Sequence, residues 1–263
     1  MAFSQTCEEL LENLEGYDYE IFFSHGLPIP DCFNEPLERA LKQPFTHYWF
    51  VEEDMILPKD TLKTLLEAKV PAIMCDYPMD AQGKPAIFRD PKNRVIYGGT
   101  GCLLVTKRFI NKYPKPVFHT DVAWDIKVGD VVELKERQVG RNVYGLHDVN
   151  FALEAYRRGT PIKISKLICG QRKLKNLGAN ATNIGQHNIE TWTKLTPNTL
   201  QVSDSEFVEI EVDGNRVNVR RDSPLAQKAL KDYVVFLWSY SSVSLLTIAL
   251  HTHRKPLTTW NEP

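Results

Sequence analysis

Two spacings of apolar positions alternate over the first eighty residues. Leu10, Leu11 and Leu14 recur at helical spacing, and Thr6 with Glu9 has the capping-box form of a helix start. Residues 19–24, YEIFFS, are a short apolar run suited to a buried strand. A helix is predicted in NEPLERAL, with Asn34 at a capping position and Pro36 in the first turn. HYWFV is the next strand. Leu62, Leu65 and Leu66 mark a helix behind Pro58, and PAIMCDY is a third strand. Helix and strand in strict alternation predict parallel strands covered by helices, with ligands gathering beyond the strands' carboxyl ends.

Further along, residues 81–94 are polar and loop-like. VIYGGTGCLLVTKRFI predicts a short strand, a glycine-rich turn, a second strand and a helix start. Residues 117–144 show no clear period and are expected to form a long excursion. LHDVNFALEAYRRG is an amphipathic helix, with Val149, Leu153 and Tyr156 opposed to Glu154, Arg157 and Arg158, and Gly159 as its stop. PIKIS is a strand, and residues 170–200 are expected to be loops. FVEIEVDGNRVNVRR alternates around Asp213–Gly214, a hairpin signal. Ser223–Pro224 then opens a long final helix containing the apolar tract 233–250. Serines and a threonine interrupt that tract, so it is expected to be a buried or interface helix, and a route to an oligomer, rather than a membrane span. The expected division is a domain over 1–200 and a hairpin-plus-helix appendage over 201–263.

Composition narrows the class. At 43% hydrophobic and 25% charged, the chain is ordinary for a globular protein, and its net charge of -1 gives no bulk attraction to nucleic acid or membrane. Five scattered cysteines without a CxxC pair read as reduced thiols of a cytoplasm-like compartment. The N-terminus lacks the basic and apolar regions of a signal peptide.

Four stretches could carry chemistry. Glu52, Glu53 and Asp54 end an apolar strand, where carboxylates two apart can face one hard cation such as Mn²⁺ or Mg²⁺; the triplet alone reads more simply as a solvated turn at a helix start. Gly98–Val105, GGTGCLLV, lets backbone approach a ligand closely or simply makes a tight turn. Asp148, after His147 at a helix start, is a general base or a cap. His187, in a polar loop, is a third metal ligand or a surface residue, with His119 as its rival.

Taken together and in this order, these features resemble the GT-A nucleotide-sugar glycosyltransferases, especially family 2-like members. WFVEEDMILPKDTLKTLLE is similar to their strand–acid motif–proline–helix segment, YGGTGCLLVTKRFI to their glycine-rich strand, and LHDVNFALEAYRRG to the helix opened by their catalytic acid. The likeness runs from about Ser4 to Trp192. It implies an α/β, Rossmannoid mixed sheet flanked by helices, and transfer of a sugar from a nucleotide diphosphate donor to a hydroxyl acceptor with Mn²⁺ or Mg²⁺. Asp54 would be the principal metal ligand, with Glu52 and His187. Asp148 would be the base of an inverting displacement. Asp76, Gly99, Thr100 and Gly101 would lie near the donor, and Arg172, Lys173 and Lys175 could steady the leaving group or simply form a solvated basic face. The acceptor could be a glycan, a protein or a modified DNA base, and Lys135, Arg137 and Arg141 could meet DNA phosphates. Family members usually begin with a strand that holds the nucleobase; this chain begins in the helix that should follow it. A nucleotidyltransferase and a degenerate, non-catalytic binding module are the rival readings.

Overall fold

The computed structural model describes residues 2–24, 27–129, 131–139, 146–174, 189–195, 207–212, 215–220 and 245–254. The chain divides into two units, Met1–Thr196 with Val243–Pro263, and Pro197–Ser242. The first unit opens with α1 (Ala2–Leu14), β1 (Tyr17–Ser24), α2 (Asp31–Leu41), β2 (His47–Glu52), β3 (Met55–Ile56), α3 (Thr61–Glu67) and β4 (Ala72–Asp76). It continues with β5 (Ile87–Arg89), β6 (Val95–Gly98), β7 (Cys102–Thr106), α4 (Lys107–Ile110), β8 (Val122–Val128) and β9 (Val132–Gln138). Then come α5 (Leu146–Arg157), β10 (Lys163–Ile168), β11 (Gly170–Leu174) and β12 (Ile189–Trp192). The second unit holds an antiparallel pair, β13 (Phe207–Val212) with β14 (Asn215–Arg220), in register from Phe207 opposite Arg220 to Val212 opposite Asn215. The first unit resumes with β15 (Leu245–Arg254).

The architecture is mixed α/β. Its central sheet has the order β1-β15-β2-β7-β4-β10. β10 is parallel to β4, and every other neighbouring pair is antiparallel. β1, β2, β4 and β10 therefore run one way, and β7 and β15 the other. Tyr48, Trp49, Phe50 and Val51 of β2 are all fully buried, because both faces of that strand are covered. Tyr48 and Phe50 pack with Phe33 and Leu37 of α2 and Phe151 of α5. Trp49 and Val51 pack with Leu10 and Leu14 of α1 and Leu62 and Leu65 of α3. Each such apolar side chain contributes roughly 1.5–3 kcal/mol of hydrophobic stabilisation.

The structure departs from the sequence pattern in six places, one of them β5, which lies in the stretch 81–94 expected to be loop-like. Leu245–Leu250, expected in the final helix, lies in β15. Thr247 to Leu250 are fully buried, with Ala249 in the α2–α5 core and Ile248 and Leu250 in the α1–α3 core. A strand covered on both faces reads as a continuous apolar run, which spacing cannot tell from a buried helix. Residues 170–174 and 189–192, expected as loops, pair as β11 and β12. The excursion contains the hairpin β8–β9, whose Val122, Trp124, Ile126 and Val128 alternate along one face. Thr6 and Glu9 lie inside α1 rather than capping it. Asn34 lies inside α2, where its side chain donates to the Phe118 carbonyl at 2.8 Å and accepts from the Phe118 N–H at 3.0 Å.

Candidate functional site

One end of the sheet gathers the carboxyl ends of β1, β2, β4 and β10 with the amino ends of β7 and β15. Glu52 closes β2 there, and Glu53 and Asp54 form the turn into β3. That turn is braced from α1 by polar residues at helical spacing. The Thr6 hydroxyl bonds the carbonyls of Glu53 and Met55 at 2.9 and 2.8 Å. The Glu9 carboxylate accepts the Leu57 N–H at 2.8 Å. Asn13 donates to the Pro58 carbonyl at 3.2 Å and accepts the Leu62 N–H at 3.2 Å. The capping-box pair thus spends its side chains on the acid turn.

Arg172 is buried in β11. It pairs with the Glu9 carboxylate, bonds the Thr6 hydroxyl at 3.2 Å, and donates to the Met55 carbonyl at 2.5 Å. Its backbone N–H donates to the Asp54 carbonyl at 2.7 Å. A buried guanidinium requires partners of this kind, because leaving it unpaired costs several kcal/mol. Arg172 therefore holds the backbone that carries Asp54. Lys173 follows on the same strand, opposite Glu190 in register. Lys175 and His187 lie outside the described residues.

Tyr77, one residue past β4, sits at the centre of this end. Burial pushes its phenol far up, and the negative charges of Glu52, Asp148 and Asp54 push it further. Charges from two separate segments, the end of β2 with its turn and the start of α5, therefore act on one phenol. The glycine turn wraps that ring. A Cβ on Gly99 would lie 1.9 Å from the Tyr77 hydroxyl, and one on Gly101 would lie 2.8 Å from Met55 Sδ. The Gly101 N–H donates to the Tyr77 hydroxyl at 3.3 Å, and its carbonyl accepts the Glu52 N–H at 3.1 Å. Thr100, fully buried between these glycines, donates its hydroxyl to Glu52 Oε1 at 3.4 Å. The glycines are thus required by close approach to Tyr77 and Met55. No sequence rule singles out Tyr77; the signal was a strand-end aromatic together with a turn that tolerates no Cβ.

Asp148 lies in the first turn of α5 and is half-buried. Burial pushes its carboxyl up to about 7, although the Val149 N–H donates to Oδ1 at 2.7 Å and favours the charged form. His147 beside it is buried, with its ring 4.4 Å from that of Phe33, and burial holds it down to about 3. It is therefore a neutral imidazole at pH 7, and neither ring nitrogen makes a hydrogen bond among the described residues. Asn150 fixes what packs on α5. It accepts from Trp124 Nε1 at 2.8 Å and donates to the carbonyls of His119 and Val122 at 2.9 and 3.0 Å. His119 itself meets Asp121 at 2.9 Å through Nδ1.

Asp76 is turned to the protein's own backbone. Oδ1 accepts the N–H groups of Tyr77 and Ala86 at 3.0 Å each, and Oδ2 meets Arg89 at 3.2 Å. These bonds fasten the 77–89 segment to the end of β4. Lys135 and Arg137 are exposed on β9, with Arg137 3.7 Å from Asp125, while Arg141 lies outside the described residues.

Glu52 and Asp54 supply oxygen donors suited to a hard divalent cation. Among the described residues, a group of three ligand-type side chains occurs elsewhere: the buried Cys75, Cys102 and Cys169, with sulfur atoms within 4.8 Å of one another. Thiolates select soft or borderline metals, so that trio does not suit Mn²⁺ or Mg²⁺. No helix among the described residues is long and apolar enough to cross a membrane. Comparison with known protein families, curated proteins and solved structures finds no significant match.

Proposed function

We propose that the chain is a metal-dependent glycosyltransferase of the GT-A type, moving a sugar from a nucleotide diphosphate donor to a hydroxyl acceptor. One observation carries this reading. Carboxylates from the end of β2 and the start of α5 both act electrostatically on Tyr77, whose hydroxyl accepts from the Gly101 turn, and one of them, Asp148, is held near neutrality. A carboxyl poised at about 7 can take a proton at physiological pH far more effectively than one at 3.8. Asp148 would remove the acceptor hydroxyl's proton as that oxygen bonds to the anomeric carbon. The bond from that carbon to the diphosphate oxygen breaks on the opposite face, giving inversion. Glu52 and Asp54 would hold a Mn²⁺ or Mg²⁺ ion, which as a Lewis acid neutralises charge on the diphosphate. Arg172 and Thr6 act by fixing the turn that carries Asp54, and Tyr77 keeps its proton throughout. The place beside β2, away from β7, belongs to β15, so the nucleobase would be met there by an antiparallel strand.

The test is calorimetry with a panel of nucleoside diphosphates, with and without Mn²⁺, followed by donor turnover. The expected result is Mn²⁺-dependent binding that Asp54→Ala abolishes and Asp148→Asn retains, with turnover lost in Asp148→Asn. Metal-independent binding, or full turnover in folded Asp54→Ala, would refute it.

A further inference from the structure

The far end of the sheet carries a concave surface whose lining includes none of the acids. It lies by the amino ends of β2 and β4 and the carboxyl end of β7, and is completed by the ends of α3 and α5 and by α4. β2 alone separates it from Glu52 by about 17 Å, taking roughly 3.3 Å per residue. The cavity has a volume of about 760 Å³, within the range of small-molecule sites.

Its lining is divided by chemistry. Leu65, Leu104, Phe109 and Tyr113 form a buried apolar floor. Lys69, Arg108, Lys112 and Arg158 stand exposed around it, and among the described residues no acidic side chain lines it. Arg158 is already committed: Nε meets Glu154 at 2.5 Å, Nη1 bonds the Lys112 carbonyl, and the guanidinium covers the Tyr113 ring at 5.4 Å. Lys69, Arg108 and Lys112 form no ion pair among the described residues.

Lys69 has a further peculiarity. It follows α3 with φ of 51°, in the left-handed region where glycine normally ends a helix. A lysine there accepts backbone strain, and in return places an ammonium on the cavity rim. Apolar floor and uncompensated cationic rim together define the occupant. An apolar body satisfies the floor, and a doubly charged head satisfies three cations better than a single carboxylate does. We propose that this cavity binds a monomeric organic phosphate with an apolar tail or ring, at a site separate from the acid cluster.

Calorimetry of the full chain with octyl phosphate below its micellar concentration tests this. Octyl glucoside and inorganic phosphate serve as tail-only and head-only probes. The expected result is one-to-one binding of octyl phosphate and at least tenfold weaker binding of the other two. Lys112→Glu should weaken octyl phosphate binding at least tenfold. Lys69→Gly should weaken it several-fold while raising Tm, because glycine relieves the left-handed backbone; loss of binding then cannot be loss of fold. Equal binding of octyl glucoside or of inorganic phosphate would overturn the proposal, as would unchanged affinity in both variants. Sedimentation with phosphatidic acid vesicles, without binding of monomeric octyl phosphate, would also overturn it, by assigning the rim to a membrane surface. Asp54→Ala should leave octyl phosphate binding intact, so this result stands or falls independently of sugar transfer.

Discussion

Replacing Asp148 with asparagine should stabilise the protein, and by an amount that grows with pH. The folded chain holds this carboxyl at about 7, against 3.8 when free. Between those values the folded state binds the proton more tightly than the unfolded state, so stability falls as pH rises through the window. Below pH 4 the group is protonated in both states and contributes nothing. Above pH 7 the full penalty applies. Full burial would give about 2 kcal/mol at pH 5 and about 4 kcal/mol at pH 8, at 1.36 kcal/mol per pH unit. The side chain keeps part of its hydration, so the expected gain at pH 8 is about 2–4 kcal/mol. Asparagine retains an oxygen for the Val149 N–H and carries no charge. Urea unfolding of both proteins at pH 5, 6, 7 and 8 measures the difference, with the m-value checking that the unfolding transition is unchanged. A gain of equal size at pH 5 and pH 8, or none at either, would show that Asp148 is hydrated and unperturbed, and would remove the physical basis for its role as a base.

Other outcomes are expected from the same geometry. Arg172→Ala strands Glu9 and the Met55 carbonyl and should cost about 3–5 kcal/mol in urea unfolding; a cost below 1 kcal/mol would mean the brace on the Asp54 turn is dispensable. Gly99→Ala drives a methyl onto the Tyr77 hydroxyl and should cost about 1–3 kcal/mol. Tyr77→Phe should recover part of that loss in a double-mutant cycle, and strict additivity would place the clash elsewhere. His147→Phe should flatten the acid limb of the stability curve. A histidine held at about 3 loses stability as pH falls from 6.5 toward that value, and phenylalanine does not titrate. In the proposed reaction, kcat should rise with pH through about 7 as Asp148 deprotonates, and a flat profile between pH 5.5 and 8.5 would exclude it as the rate-determining base.

What the sequence disclosed depended on whether a segment's partner lay nearby. α5 was readable because its stripe and its Gly159 stop are local, and Gly159 does adopt φ of 68°. β2, the turn at Gly98–Gly101 and β7 were readable for the same reason. β15 was not, since its strand state follows from β1 and β2 covering its two edges. Thr6 and Glu9 spelled a capping box, but their partners are the carbonyls and N–H groups of residues 53–57 and a guanidinium more than 160 positions away. The hairpin β8–β9 did leave a trace in Val122, Trp124, Ile126 and Val128 ahead of Gly129, weakened by the unpatterned charges of β9. At the candidate site, Glu52, Asp54 and Asp148 stood out from turn and cap residues only when their segments were read together and in order. Tyr77 did not stand out, because its part is defined by three carboxylates and two glycines that only the fold brings together.

The placement of β15 has a consequence for synthesis. β1 and β2 are joined in the sheet only through a strand that begins at Leu245. While the ribosome adds the nearly two hundred residues after Glu52, the facing edges of those two strands have no β15 to pair with. Such edges are templates for pairing with other chains, and closing so long a loop is slow. The nascent protein therefore has a period of exposure that ends when residues 245–254 clear the exit tunnel and slot between two strands already made. A chain stopped at residue 240 should accumulate as aggregate, whatever the state of its acid cluster.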